Sequence, residues 1–271
     1  MSVHPTLSFD DELHQRVYEY VERHGAADPD ELARSIRIES DQAQSKPARA
    51  DTYTESVCPP TEDLESCLET LKERGYLTES NGKLRVAVPG TTVEHECNAG
   101  TVTIRPAREE DRDGVIEVMR TVADEGTYIV AENVATELER DSALVRATED
   151  RSRVCFVATL VPEDDEAGDG DVVAWLHVDA HELPSLAHTA ELTVGVAPAV
   201  RRQGIGSALL EYGLEWADEV GYRKLYQNVP ATNEGAIAFL EDNGWKREGV
   251  HEDQYRIDDE FVDEVMLSIW P

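Results

Sequence analysis

Lysine is almost missing from this 271-residue chain, occurring only at Lys46, Lys72, Lys83, Lys224 and Lys246. Arginine supplies most of the positive charge. No apolar run approaches the roughly 18 residues of a membrane span, and no basic-then-apolar leader opens the chain. A soluble, cytoplasmic protein without membrane attachment is the expectation. The four cysteines, Cys58, Cys67, Cys97 and Cys155, fall into no CxxC or Cys/His ligand spacing, which points to reduced thiols and no metal site. Two familiar phosphate signatures are also missing around Gly204-Ile205-Gly206-Ser207. GxxxxGK[ST] fails for want of the lysine and the spacing, and GxGxxG fails because Leu209 stands where glycine is needed.

Acid is what the chain has in excess: 57 Asp and Glu against 25 Lys and Arg, a formal charge of −32 spread along its length. Such self-repulsion is tolerable where salt screens it, the Debye length being about 3 Å at 1 M. The composition resembles that of salt-loving archaea. The most acidic connection, Pro162 to Asp171, lacks the spacing and terminal glutamate of an EF-hand loop and is expected to be a solvated hairpin loop.

The chain is organised around Glu191 to Ala208. Leu192, Val194 and Val196 alternate with Thr193 and Gly195, the period of a strand with one face on a core. Pro198 cannot donate to a ladder and should end it. Beyond Gly206, Leu209, Leu210, Leu214 and Ala217 recur at helical spacing. Glycines in the turn let a ligand reach the first helical amides, which have no intrahelical partner and sit at the positive end of the dipole; an anion site is expected.

Arg201-Arg202-Gln203-Gly204-Ile205-Gly206 matches R/Q-x-x-G-x-G/A. With Asn233, the segment AIAFLEDNGW over 236–245 and DEVMLSIW over 263–270, residues 101–271 resemble the GNAT superfamily of N-acetyltransferases. The resemblance implies an α+β fold, a central mixed and mostly antiparallel sheet flanked by helices, with acetyl-CoA as cosubstrate and no metal. It implies that Val194, Gly195 and Val196 bind the cofactor's thioester end and that Arg201, Arg202, Gln203, Gly204, Ile205, Gly206 and Ser207 bind its pyrophosphate. Asn233 caps a helix at 234–242 and by resemblance also bonds the pantetheine arm. Glu191 matches a position used as general base. Glu125, Thr127 and Tyr128 match the segment over the acceptor pocket. The usual tyrosine of A-I-x-x-Y-E is replaced by Leu240, which leaves Tyr226 and Tyr255 as candidate general acids. Asn228 stands where ribosomal-protein alanine acetyltransferases have glutamate, which points away from that narrower identity.

Residues 1–89 read as a separate small domain. Helices are expected over 9–24, after Asp28-Pro29, and from Thr61 as cap to Gly75, followed by a hairpin through Asn81-Gly82. A polar insertion occupies about 39–60. The arrangement resembles a winged helix-turn-helix, but its third helix carries Glu62, Asp63, Glu65, Glu69 and Glu73 against Lys72 and Arg74. DNA binding is therefore the weaker expectation, behind a protein-contact, homodimer or docking role. Residues 90–100 form the passage into the second domain, where a helix over 109–123, a second near 135–145, and strands at 154–160, 172–178, 224–229, 245–250 and 261–269 are expected. The function implied is acetyl transfer from acetyl-CoA to a primary amine, whether a small amine, an amino acid or a protein amino group. The alternative is an acetyl-CoA-sensing regulator whose N-terminal domain binds DNA or protein.

Overall fold

The computed structural model describes residues 8–39, 56–125, 129–141, 143–147, 152–161, 170–181, 183–257 and 259–271. The chain divides into a smaller unit ending at Ala87 and a larger one running from Val88 to Pro271.

In the smaller unit, α1 (Glu12–His24) starts where the Asp11 carboxylate accepts the His14 N–H at 2.9 Å, and it buries Leu13, Val17 and Val21 at helical spacing. Asp28 caps α2 (Pro29–Ser35) in the same way. Strand β1 (Ile38–Glu39) pairs antiparallel with β2 (Ser56–Val57), so a short ribbon frames the expected polar insertion, whose residues 40–55 lie outside the described set. Helix α3 (Thr61–Glu73) corrects one expectation: Thr61 is its first residue, and the cap is Pro60, without a side-chain hydrogen bond. Strands β3 (Leu77–Ser80) and β4 (Lys83–Val86) form a hairpin through Asn81 and Gly82, both at positive φ, 53° and 74°.

The larger unit is built on a nine-stranded sheet among the described residues. Its strands are β5 (Val93–Cys97), β6 (Gly100–Pro106), β7 (Arg146–Ala147), β8 (Ser152–Val161), β9 (Asp171–Ala180), β10 (Thr189–Val196), β11 (Lys224–Pro230), β12 (Lys246–Ile257) and β13 (Glu260–Ile269). The order is β12-β13-β11-β10-β9-β8-β6-β5, with β7 beside β8, and the pair β10/β11 is parallel while the others are antiparallel. Residues 93–97, inside the passage expected between domains, thus form an edge strand. The remaining helices are α4 (Arg112–Ala123), α5 (Ile129–Arg140), α6 (Ile205–Glu219) and α7 (Glu234–Asp242).

Alternation along the central strands divides the core into two layers. Cys155, Val157 and Trp175 join Val115, Met119, Val122, Ala135 and Leu138 of α4 and α5 on one face. On the other, Phe156 meets Tyr212 and Trp216 of α6 edge-on, with ring centroids 5.4 and 5.1 Å apart. Leu209 and Leu210 are fully buried there, worth about 1.5–3 kcal/mol each. The second helix runs from Ile129, earlier than the periodicity near 135–145 suggests. It ends at Arg140 because side chains take over its last backbone groups. Arg112 Nη2 donates to the Leu138 and Asp141 carbonyls, Arg153 donates to that of Ala143, and Glu109 accepts the Leu144 N–H.

Candidate functional site

Strands β10 and β11 part company after three residues. Thr189, Ala190 and Glu191 pair with Lys224, Leu225 and Tyr226, but from Leu192 onward β10 bonds only to β9, while β11 continues along β13 to Pro230. The Ala197 N–H donates to the Val173 carbonyl at 2.8 Å. Because amide directions alternate along a strand, the N–H groups of Val194 and Val196 point into the gap between β10 and β11. Gly195 sits over the Trp175 ring, where a Cβ would lie 2.1 Å from Cη2. Glycine is the residue that lets this strand and the indole stack so closely.

The gap leads into the turn before α6. Pro198 to Val200 form a short 3-10 turn, Arg202 adopts a left-handed φ of 62°, and Gly204 caps α6 at φ 82° with no side-chain cap. The first amides of a 15-residue helix are thus left to whatever occupies the turn. A cleft of about 580 Å³ opens there, lined by Val194 to Val196, Val200 to Arg202 and Gly204 to Ser207 on one side and by Gly235, Ala236, Ala238, Phe239 and Asp242 of α7 and its C-cap Asn243 on the other.

Of the residues expected at the site, Val194, Gly195, Val196, Arg201, Arg202, Gly204, Ile205, Gly206 and Ser207 line this cleft. Gln203 does not, and its carbonyl oxygen lies 3.2 Å from His95 Nε2 of β5. Asn233 does not line it either: buried at 6 % exposure, it caps α7 by accepting the Ala236 N–H at 3.1 Å. Glu125 is clasped by Arg201, with Nη1–Oε1 3.0 Å and Nη2–Oε2 2.8 Å. Thr127 and Tyr128 lie outside the described residues. Leu240 is buried in the core, and Phe239 is the α7 ring that reaches the cleft.

Glu191 lies at the closed end of the gap. Burial, then the charges of Asp179, Glu264 and Glu137, hold its carboxyl above the usual carboxylate range. Tyr226 is its register partner, and the phenol oxygen lies 2.9 Å from His181 Nε2. Burial, then Glu191 and Asp179, push the phenol up to about 12, so it stays protonated. Tyr255 instead donates to Glu264 Oε1. His95, Trp175 and Phe239 escaped sequence reading. The signal that was there is spacing: Trp175 is the one aromatic in β9, and Phe239 sits one turn beyond Gly235 and Ala236.

Residues 131–245 match the model of the Acetyltransferase (GNAT) family. The chain carries a GNAT acetyltransferase domain. It is 28% identical to the provisionally named phosphinothricin acetyltransferase YwnH of Bacillus subtilis (strain 168) over 151 residues, 55% of this chain and 86% of that protein. It is 30% identical to the [ribosomal protein bS18]-alanine N-acetyltransferase of Escherichia coli (strain K12) over 76 residues, 28% of this chain and 51% of that protein, about half the relative's length. A GCN5-related N-acetyltransferase from Kribbella flavida shares the fold, with a TM-score of 0.50, 20% identity and coverage of 63% of this chain and 98% of that one. The domain places the chain among acetyl-CoA-dependent N-acetyltransferases, with acetyl-CoA as cosubstrate. Its residues fit that molecule. Two outward amides suit the pantetheine arm, and the glycine-capped start of α6 suits a diphosphate. Gln227, the first residue of β11 beyond the paired segment, is 7 % exposed and its Oε1 has no hydrogen-bond partner among the described residues, an orphaned acceptor suited to an amide N–H of the pantetheine arm.

Proposed function

We propose that the larger unit transfers an acetyl group from acetyl-CoA to a primary amine by direct attack in a ternary complex. The observation that carries this reading is the gap between β10 and β11, closed at one end by Glu191 and Tyr226 and open at the other onto the Gly204 turn. Bound acetyl-CoA supplies an electrophilic thioester carbonyl and a thiolate leaving group.

The chain's own residues do the rest. The amides of Ile205, Gly206 and Ser207, with Arg202, hold the diphosphate at the start of α6. The N–H groups of Val194 and Val196 orient the arm in the gap, and the Val194 N–H donates to negative charge growing on the carbonyl oxygen. Orienting both reactants in one gap supplies the largest share of rate, up to about 7–11 kcal/mol for well-aligned pairs. An alkyl ammonium near pKa 10.4 must lose a proton before it attacks, and Glu191 takes that proton, directly or through a water. Its raised pKa makes it a stronger base than a solvated carboxylate. The Tyr226 phenol, protonated and backed by His181, returns a proton to the departing sulfur.

Release of free thiol from acetyl-CoA, followed across alkyl amines, amino acids and basic peptides, tests the reading. Turnover with at least one acceptor is expected. Tight acetyl-CoA binding with no thiol release for any of them overturns it.

A further inference from the structure

Strand β5 forms the edge of the sheet and lies outside the residues that match the family model, yet it is fastened both to α6 and to the turn before it. The Tyr212 phenol of α6 donates to the Thr91 carbonyl, just ahead of the strand, at 2.7 Å. At the start of the same helix, His95 Nε2 lies 3.2 Å from the Gln203 carbonyl oxygen. Register explains how the imidazole gets there. His95 pairs with Val102 of β6, Val102 pairs with Leu160 of β8, and Leu160 shares its face with Phe156, which packs on α6. A carbonyl oxygen has no hydrogen to give, so Nε2 donates, as the neutral Nε2–H tautomer or as imidazolium. A Cβ on Gly204 would lie 3.0 Å from that nitrogen, so the ring closes against the turn where φ is 82°.

This contact sits behind the anion turn. A trans peptide holds its C=O and N–H antiparallel, so drawing the Gln203 oxygen toward β5 sends the Gly204 N–H to the opposite side. The turn needs such a hold. Arg202 carries a Cβ and still adopts a left-handed φ of 62°, a sparsely populated conformation that persists where the surroundings fix it. Arg201 is fixed from one side by Glu125, and the Gln203–Gly204 peptide is fixed from the other by His95. A turn held in its binding conformation has less ordering to pay for when a ligand arrives.

Resting on the placement of the acetyl-CoA diphosphate in this turn, we infer that His95 is a positioning residue for acetyl-CoA, its Nε2–H holding the Gln203–Gly204 peptide so that the turn stands ready for the diphosphate. Residues 93–97, inside the stretch that reads from sequence as a passage between domains, thereby belong to the cofactor site. Gln203 serves that site through its backbone carbonyl. Because His95 acts through the turn, its effect falls on the diphosphate half of the cofactor and spares the thioester half.

The test is calorimetry on the full chain at one fixed salt concentration, with CoA and with pantetheine, which lacks the diphosphate and is read by its displacement of CoA. His95→Leu fills the ring's space without a donor, whereas His95→Gln sets an amide NH₂ near the place of Nε2. We expect His95→Leu to raise Kd for CoA about three- to tenfold, the worth of one hydrogen bond, and to leave Kd for pantetheine within about twofold. His95→Gln should recover most of that loss, with denaturant midpoints showing parent and variants folded. In turnover, His95→Leu should raise KM for acetyl-CoA with kcat little changed. An unchanged Kd for CoA, an equal loss for pantetheine, or a loss that His95→Gln does not recover overturns the role of His95 and leaves the placement of the diphosphate standing. A parent chain that binds CoA no more tightly than pantetheine overturns the placement itself, and the inference with it.

Discussion

The guanidinium of Arg201 grips both carboxylate oxygens of Glu125, and its Nε donates to the Val196 carbonyl at 2.9 Å. One side chain thereby ties the end of α4 to the mouth of the gap. This makes Arg201 a clamp on the turn more than a free ligand for phosphate. Arg201→Ala should raise KM for acetyl-CoA by about three- to tenfold with a smaller change in kcat. Glu125→Ala, removing a partly exposed ion pair, should cost under about 1 kcal/mol in chemical denaturation. A larger KM effect from Glu125→Ala than from Arg201→Ala would reverse this assignment.

Gly195→Ala places a methyl group where the Trp175 ring already stands. The indole is fully buried and has no room to retreat. Overpacking of this kind costs typically about 1–3 kcal/mol. Denaturant midpoints should fall accordingly, with acetyl-CoA affinity falling as the strand shifts. A variant as stable as the parent would mean that the ring moves freely.

Glu191→Gln links rate and stability with opposite signs. A carboxyl group whose pKa is raised by folding stabilises the fold while protonated, below its unfolded value near 4.3, and that contribution is lost as pH climbs through the raised value. The base must be ionised, so activity rises over the window in which stability falls. The Gln variant should melt higher than the parent above that window and lose about 10²-fold or more in kcat/KM, with the carboxylate inflection gone from its pH–rate profile. Tyr226→Phe should lower kcat more than it changes KM. Unchanged kcat in either variant removes that residue from the proposed mechanism.

Arg153 is 1 % exposed and donates to Asp141, whose carboxyl resists burial because Arg146 and Arg153 hold it well below the usual carboxylate range. Arg153→Ala leaves that acid with half its partners and strands the carbonyls after α5. A loss of about 3–5 kcal/mol is expected in urea unfolding. The Asp141 contribution is present above its unfolded pKa and is lost as pH falls through the lower folded value, so the difference between variant and parent should narrow in strong acid.

The charge of −32 predicts a salt requirement. Circular dichroism should show loss of structure as KCl falls from molar levels towards about 0.1 M, where the Debye length grows to about 10 Å. A spectrum that does not change across that range would remove the comparison with salt-loving proteins.

Sequence alone was enough for the strand, turn and helix from Glu191 to Ala208. Each of these is written in local terms: a period of two, a proline that cannot donate, glycines where φ must be positive, and then a period of 3.6. The same holds for the capped helices of the smaller unit and for the Asn81-Gly82 hairpin. What surrounds Glu191 is not local. Asp179, Tyr226, Glu264 and Glu137 reach it from three strands and a helix, and which of 57 acids share one face depends on sheet order and register. His95 lies against the Gly204 turn only because β5 joins the sheet edge, 108 residues earlier in the chain. Arg201 and Gln203 carry motif identities that imply a ligand role, yet their side-chain and backbone partners are chosen by neighbours far away in sequence. The pattern of residues determines where an anion can be held; long-range pairing of strands decides which charges face the acceptor, because a charge acts through space and not along the chain.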